Sequence, residues 1–270
     1  MVHHVVNLGA RYVLSSVGRL TSGGTEDVVH LFDCGLRSKK KASMITITAL
    51  KWAPPFAQGN VRDHRVRWIL NEVGWSYRVR LLDTEDQQDA GYLQSQPFGQ
   101  VPIMEEDGRP PLFETGAILL DVATRSGKLL PHGDGERARA ICWFFAALNS
   151  IEPPFMDLAE VDFFIEDERK KADRRPDVIK AVNAKLAQLA AAFGSRSYLV
   201  SDEFTVADMM TSSVLKILGH TDLVDRYPTL VSYRDQCFDR PAYKKAIADQ
   251  CAEIARHQEK DMKYELKKPA

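Results

Sequence analysis

Cysteine is scarce in this chain of 270 residues, which contains only Cys34, Cys142, Cys237 and Cys251. No two of them form a CxxC pair, and none stands at a zinc-like spacing from a histidine. The sequence therefore predicts neither a zinc site nor a dithiol motif, and we expect no metal. A reducing cytoplasm is the compartment that this cysteine usage favours.

Long apolar runs and an excess of charge are also missing. No apolar stretch approaches the roughly 20 residues that span a bilayer, and the N-terminus lacks the apolar core of a secretory signal. The 36 Lys and Arg residues nearly balance the 37 Asp and Glu residues, which leaves a net charge of -1. No overall field attracts nucleic acid or an anionic membrane, so we expect a soluble protein that binds neither. The length allows two ordinary domains.

Residues 1–43 differ in character from the rest of the chain. Their short apolar pieces are broken by Gly23-Gly24, and the segment closes with Lys39-Lys40-Lys41. We expect a poorly ordered extension here. Two alternatives remain open. The segment resembles a transit peptide, because basic residues precede its first acid, Glu26, or translation starts at Met44.

A strand–helix–strand pattern begins at Met44. Alternating residues from Ile45 to Leu50 predict a strand, and apolar residues at helical spacing up to Val73 predict a helix that ends at Gly74. A second alternating run from Trp75 to Leu81 predicts a strand parallel to the first.

A hairpin and a closing helix complete this half. After a polar, partly helical stretch, Val101–Met104 and Leu112-Phe113 flank the turn pair Asp107-Gly108, and residues 117–125 follow as a helix. The order β-α-β-α-β-β-α is that of a thioredoxin-like domain, which we predict over residues 44–126. Strand signals then disappear, and helical periods predict an all-α helical-bundle domain over residues 135–260, followed by a tail, 261–270.

Three local segments resemble the glutathione transferase family. Gln96-Pro97-Phe98-Gly99-Gln100-Val101-Pro102 is similar to the family's Asn-Pro-x-Gly-x-Val-Pro segment, whose last proline is cis. Phe113-Glu114-Thr115-Gly116-Ala117-Ile118 is similar to its Glu-Ser-x-Ala-Ile segment, and Thr205-Val206-Ala207-Asp208 resembles its capping box. The resemblance as a whole covers the chain from Met44 to the end of its last helix, and it implies a homodimer.

The Val-Pro segment is the first candidate binding element. A cis peptide before Pro102 would leave the backbone N–H and C=O of Val101 free to pair with an extended tripeptide, glutathione. The alternative is an ordinary edge-strand proline. Gln100 is a further polar contact that we expect.

The start of the closing helix is the second candidate binding element. Free N–H groups of Thr115 and Gly116 suit the γ-glutamyl carboxylate of glutathione, because a helix start carries partial positive charge. The resemblance implies that Glu114 or Thr115 contacts the γ-glutamyl end. Alternatively, both residues serve only to cap the helix.

The reactive position departs from the family's common pattern. By alignment, the catalytic serine or threonine of several classes is replaced by Asn60, and Arg62 occupies a nearby position. We predict that Asn60 and Arg62 donate hydrogen bonds to the glutathione thiolate, helped by the first-helix N-terminus. A turn at Gly59-Asn60 and a solvated helix start are the alternative. We expect His64 to lie on the helix surface, and a general base is the alternative role for it.

The resemblance implies an enzyme that conjugates glutathione, its co-substrate, to a small apolar electrophile. The alternatives are a glutathione-dependent disulfide or peroxide reductase of the same fold and a non-catalytic binding module. Five apolar side chains of the helical half are candidates for lining a pocket for the electrophile: Trp143, Phe144, Phe155, Met156 and Phe163. We expect most of them to lie in the core and one or two to face the cleft. We expect Cys142, Cys237 and Cys251 to be small buried residues.

Overall fold

The computed structural model describes residues 44–194 and 196–262, all within one compact unit. The predicted extension 1–43, with Cys34, lies outside the described residues, and so do residues 263–270 of the predicted tail. Within the described ranges, no helix is long and apolar enough to cross a membrane.

A four-stranded sheet forms the first half, in the order β2-β1-β3-β4. Its strands are β1 (Ile45–Leu50), β2 (Tyr77–Leu82), β3 (Ile103–Glu106) and β4 (Leu112–Phe113). As predicted, β1 and β2 are parallel, whereas β3 is antiparallel to β1 and to β4. The thioredoxin-like fold class is therefore confirmed for this half.

The helices of the first half connect these strands and cover the sheet. They are α1 (Asp63–Val73), α2 (Thr84–Gln88), α3 (Ala90–Ser95) and α4 (Thr115–Ser126). Gly74 ends α1 with φ 78°, a left-handed conformation that suits glycine, as its position after the last apolar residue predicts. Trp68, Ile69 and Leu70 of α1 are fully buried.

The second half is helical, as predicted. It contains α5 (Asp134–Ala146), α6 (Glu152–Phe163), α7 (Glu168–Phe193), α8 (Val206–Leu215), α9 (Pro228–Phe238) and α10 (Pro241–Ile254). Pro228 and Pro241 occupy first-turn positions, where the missing N–H of proline is tolerated. The capping box is confirmed, because Thr205 and Asp208 bond each other's backbone at the start of α8.

The two halves share one hydrophobic core. It runs from Ile47 in β1 through α1 and α4 to Leu230 in α9. Polar contacts reinforce the packing of α1 on α10: Arg67 Nη2 lies 2.6 Å from Glu253 Oε2. The predicted boundaries at 44–126 and 135–260 stay a prediction, since the core crosses them.

Two expectations about side-chain burial were wrong. His64 does not lie on the helix surface but is buried, because α1 is covered on several sides. Cys142 is exposed on α5, whereas Cys237 is buried and Cys251 is intermediate.

Candidate functional site

The β3–β4 hairpin brings the two predicted binding segments together. Ile103 faces Phe113 in the antiparallel ladder. In such a ladder, the residues that precede one strand lie beside those that follow its partner. Val101-Pro102 and Glu114-Thr115 therefore leave the sheet side by side, although they are separated along the chain.

A chain of buried hydroxyl groups holds the loop before β3. Tyr92 Oη donates to the carbonyl oxygen of Gln100 at 2.6 Å and lies 3.2 Å from Thr48 Oγ1, whose proton is then directed to Tyr92. Thr48 Oγ1 also accepts the N–H of Ile103 at 2.9 Å. Burial raises the pKa of Tyr92, which keeps this hydroxyl protonated as a donor.

The Val101–Pro102 peptide bond is cis, as the resemblance implies. Among the described residues, neither the N–H nor the C=O of Val101 has a hydrogen-bond partner. Pro102 itself is buried. The unpaired backbone of Val101, a half-buried residue, is thus available to a ligand, and Gln100 is exposed beside it.

The start of α4 presents free donors. The first helical bond is donated by Ile118 to Glu114, so no partner for the N–H groups of Thr115, Gly116 and Ala117 lies in the described part of the chain. Thr115 is buried, whereas the Glu114 side chain is exposed and makes no capping bond. Glu114 adopts φ 66°, which is unusual for a residue with a side chain.

Gly116 also packs closely against side chains of the helical half. A Cβ at this position would lie 2.9 Å from Leu148 Cδ1 and 3.4 Å from Phe144 Cε1. The start of α4 therefore approaches the helical half closely, and only the backbone N–H of Gly116 remains for a ligand.

A cavity of about 340 Å³ adjoins the Val101 loop. It lies between the first half and α6 and α8, and its polar lining includes Asn60, Arg62, His64, Arg65, Gln87, Gln100, Glu152 and Ser213. Both predicted catalytic residues and Val101 line it, whereas Glu114, Thr115 and Gly116 do not. The predicted residues thus divide into a cavity group and a helix-start group, which the hairpin connects.

The donors at the start of α1 are partly engaged. Asn60 Nδ2 donates to Phe56 O at 3.2 Å, which leaves its second amide hydrogen. The N–H groups of His64 and Arg65 donate to the carbonyls of Val61 and Arg62. These two backbone groups are therefore unavailable. The N–H groups of Arg62 and Asp63 have no partner among the described residues, so they remain candidate donors to a thiolate beside the side chains of Asn60 and Arg62.

Glu152 organises the charge of the cavity. Its carboxylate accepts from Arg62 at 2.9 Å and from Arg65 at 3.0 and 3.3 Å. Burial alone would raise the pKa of Glu152, but Arg65 and Arg62 outweigh it, so the pKa lies below its usual value. Arg65 is fully buried, whereas the Arg62 side chain is 42% exposed at the cavity. Because the cluster contains one carboxylate and two guanidinium groups, its net charge is positive.

A π-helical turn, Ala147–Ile151, joins α5 to α6 and delivers Glu152 to these arginines. Glu152 donates its N–H to the Ala147 carbonyl, five residues earlier. Pro153 and Pro154 follow and have no N–H, so the regular helical bonds cannot continue there. Turns of this kind often occur at functional sites.

Phenylalanine rings form the apolar side of the cavity. Phe56, which follows β1, stacks on Phe163 of α6 with ring centroids 4.4 Å apart and meets Phe164 edge-on at 5.5 Å. Met156 also lines the cavity, whereas Phe144 and Phe155 are buried core. Of the five apolar side chains singled out in the sequence, Met156 and Phe163 line the cavity.

Several site residues carried too weak a signal to be found in the sequence. Thr48 alternates within a strand like its neighbours, and Tyr92 lies in a polar stretch. Of these residues, Glu152 alone had a recognisable signal in the sequence, because two prolines follow it. Within residues 44–194 and 196–262, no three His, Cys, Asp or Glu side chains are grouped as a metal site requires.

The mixed sheet, the cis-proline loop and the helical half define a class: a thioredoxin-like domain joined to an all-α domain. Two models, for the N-terminal and C-terminal domains of glutathione S-transferase, match residues 57–123 and 151–241. The chain belongs to the glutathione S-transferase family.

Individual relatives are distant. A glutathione S-transferase of Arabidopsis thaliana is 27% identical over 211 residues, which cover 73% of this chain and 95% of that protein. The disulfide-bond oxidoreductase YfcG of Escherichia coli is 32% identical over 98 residues, 33% of this chain and 46% of that protein. A glutathione transferase of Burkholderia graminis, crystallised with two glutathione molecules per subunit, has the same fold, with a TM-score of 0.67 and 24% identity over 76% of this chain and 87% of that one.

Proposed function

We propose that the protein binds glutathione and transfers its thiolate to a small apolar electrophile. The glutathione backbone pairs with Val101, and Gln100 adds a polar contact. The γ-glutamyl carboxylate accepts the N–H groups of Thr115 and Gly116, with Glu114 near the ammonium group.

One observation carries this proposal: the hairpin register sets the unpaired Val101 backbone beside the free N–H groups of α4. A backbone dock and a helix start, offered side by side, complement an extended peptide that ends in a carboxylate. The dock adjoins the cavity, so the cysteinyl side chain of the tripeptide reaches toward Asn60 and Arg62.

The cavity suits the chemistry of a thiolate. Donation from Asn60 Nδ2 and the exposed guanidinium of Arg62 lowers the pKa of the bound thiol, because both favour the anion. The thiolate then forms a carbon–sulfur bond with the electrophile, the leaving group departs with the bonding electrons, and the thiol proton passes to water. Phe56, Phe163 and Met156 supply the apolar surface for the electrophile.

The test is turnover of chlorodinitrobenzene and the pH dependence of that rate. For Asn60→Ala and Arg62→Leu, we expect the apparent pKa of bound glutathione to rise by about one unit, the effect of losing one hydrogen bond to the anion. Arg139→Leu, on the exposed face of α5, is the matched control and should leave the profile unchanged. An unchanged profile in both site variants would remove these residues from the mechanism.

Glutathione-dependent reduction of disulfides or peroxides is the second candidate. Its support is the similarity to the E. coli disulfide-bond oxidoreductase, together with a site that has amide and guanidinium donors where many family members have a hydroxyl. Turnover of a mixed disulfide of glutathione, without turnover of the aryl halide, would favour this candidate. Binding of glutathione with neither activity would favour a non-catalytic module. The homodimer and the cytoplasmic location remain predictions from the resemblance and the composition.

A further inference from the structure

Phe163, the last residue of α6, lines the cavity, and two other rings contact it. Phe56, from the 3₁₀ turn Pro55–Ala57, stacks on it with ring centroids 4.4 Å apart. The imidazole of His220 lies at a centroid distance of 4.6 Å, tilted by 53°. His220 does not line the cavity itself. It therefore contacts a wall of the cavity without contacting a molecule inside it.

Both nitrogens of the His220 ring face acceptors. Nδ1 lies 3.1 Å from the carbonyl oxygen of Ile217, and Nε2 lies 3.0 Å from Asp162 Oδ2. A carbonyl and a carboxylate only accept, so both contacts are hydrogen bonds when both nitrogens carry hydrogen. Two bonds in the plane of the ring fix its orientation, and with it the face that meets Phe163.

Asp162, which holds this ring, is itself anchored to α7. Arg175 donates to its carboxylate from Nε at 2.7 Å and from Nη2 at 3.2 Å, and Lys171 Nζ donates to its carbonyl oxygen at 3.1 Å. Burial alone would raise the pKa of Asp162, but the hydrogen bonds from Arg175 and His220 outweigh it, so the pKa lies below its usual value. A charged carboxylate therefore ties the end of α6, next to Phe163, to α7 and to His220.

We propose that His220 is a positioning residue for the apolar part of the second substrate, because it fixes the ring of Phe163 in the cavity wall. This inference rests on the proposed function, in which glutathione brings its sulfur into the cavity. A wall ring that is already held in place loses little freedom when a substrate packs against it, so the contact costs less entropy. One contact between two aromatic rings is enough to change an affinity about three- to tenfold.

A purely structural role of His220 depends on a different part of its chemistry. In that role only its hydrogen bond to Asp162 matters, because this bond ties the segment after α8 to α6. His220→Gln retains a donor for the carboxylate but removes the ring, whereas His220→Phe retains a ring against Phe163 but removes the donor. The two roles therefore predict opposite results for these two variants.

The experiment compares calorimetric affinities for glutathione and for S-hexylglutathione, which carries an apolar chain on the sulfur. The wild type should bind S-hexylglutathione more tightly. His220→Ala should reduce this preference about three- to tenfold and leave the affinity for glutathione unchanged. His220→Phe should keep most of the preference, and His220→Gln should behave like His220→Ala. His132→Leu, at an exposed position before α5, is the control and should match the wild type.

A double-mutant cycle tests whether His220 acts through Phe163. Phe163→Leu should itself reduce the preference for S-hexylglutathione. Adding His220→Ala to this variant should cause no further loss, because the ring that His220 positions is already absent. Losses that simply multiply would overturn the proposal, since His220 would then act by another route.

Three other results would also overturn it. They are equal affinities for the two ligands in the wild type, an unchanged preference in His220→Ala, and a preference that His220→Gln preserves and His220→Phe does not. If the wild type binds neither glutathione nor S-hexylglutathione, the proposed glutathione-binding function itself fails, which is a separate result.

Discussion

Glu114 holds a backbone conformation, φ 66° and ψ 117°, that costs free energy in any residue with a side chain. It immediately precedes the free N–H groups of α4 and leaves the sheet beside Val101. Such strain persists where surrounding structure enforces it, often at a binding site. Glu114, which we assign to the ammonium group of glutathione, is thus less favourable for folding than glycine would be at this position.

Two substitutions at this position separate strain from binding. Glu114→Gly should raise the free energy of unfolding by about 1 kcal/mol, because glycine accepts positive φ readily. Glu114→Ala keeps the strain and should not be stabilised. Both variants lose the carboxylate and should bind glutathione more weakly in calorimetry. Wild-type affinity in the alanine variant would contradict the role of Glu114.

Glu152 is the partner of a fully buried arginine, so its loss leaves Arg65 without a counter-charge. We expect Glu152→Gln to lower the free energy of unfolding at neutral pH by about 3–5 kcal/mol, as when one partner of a buried pair is removed. Glu160→Gln, which loses an exposed pair with Arg174, should cost less than about 1 kcal/mol.

The pH dependence has a definite sign. The pKa of Glu152 is lowered in the folded protein from its usual value of 4.5, so its stabilisation is complete above pH 4.5 and is lost as pH falls through the folded pKa. Urea titrations between neutral and acid pH should therefore show a steeper loss for the wild type than for Glu152→Gln. Parallel curves would contradict the assigned ion pair.

At the scale of elements, local chemistry decided most of what could be predicted. Gly74 marks the end of α1 because glycine accepts a left-handed conformation, and Pro241 marks the start of α10 because its missing N–H is tolerated there. Both effects act within a few residues. The π-helical turn before Glu152 was not predicted, since it depends on how two helices meet. The burial of His64 was missed for the same reason: a helical period does not reveal that a second domain covers the remaining face.

The capping box of α8 illustrates an element that is tied to its surroundings. Asp208 is fully buried and accepts from the N–H groups of Leu199 and Thr205, at 2.8 and 2.9 Å, and from the Tyr233 hydroxyl at 3.1 Å. Burial raises its pKa, and these donors oppose the rise. The box therefore fixes the preceding loop and α9 as well as the helix.

We expect Asp208→Ala to lower the free energy of unfolding by at least ~3 kcal/mol, because several buried donors lose their acceptor at once. Asp167→Ala is the matched control: Asp167 caps α7 at an exposed position and should cost about 1 kcal/mol. Denaturant titration of both variants measures the difference. Equal losses would mean that Asp208 acts only as a local cap.

At the scale of the whole molecule, the site is assembled from distant parts of the chain. The Val101 loop, the start of α1 and the start of α6 meet at one cavity only after the two halves pack around their shared core. The motifs around Val101 and Thr115 were readable because they are local. The aromatic side of the cavity and the Glu152 pair join residues about a hundred positions apart, so no sequence period could reveal them.

The central claim is that glutathione occupies the dock formed by Val101 and the start of α4. Backbone amide hydrogen exchange with and without glutathione tests it most directly, because it reports on individual N–H groups. The account predicts that the amides of Val101, Thr115 and Gly116 become protected on addition of glutathione, whereas exposed amides such as that of Gly135 do not. Saturating glutathione that leaves the exchange of all three amides unchanged would contradict the account.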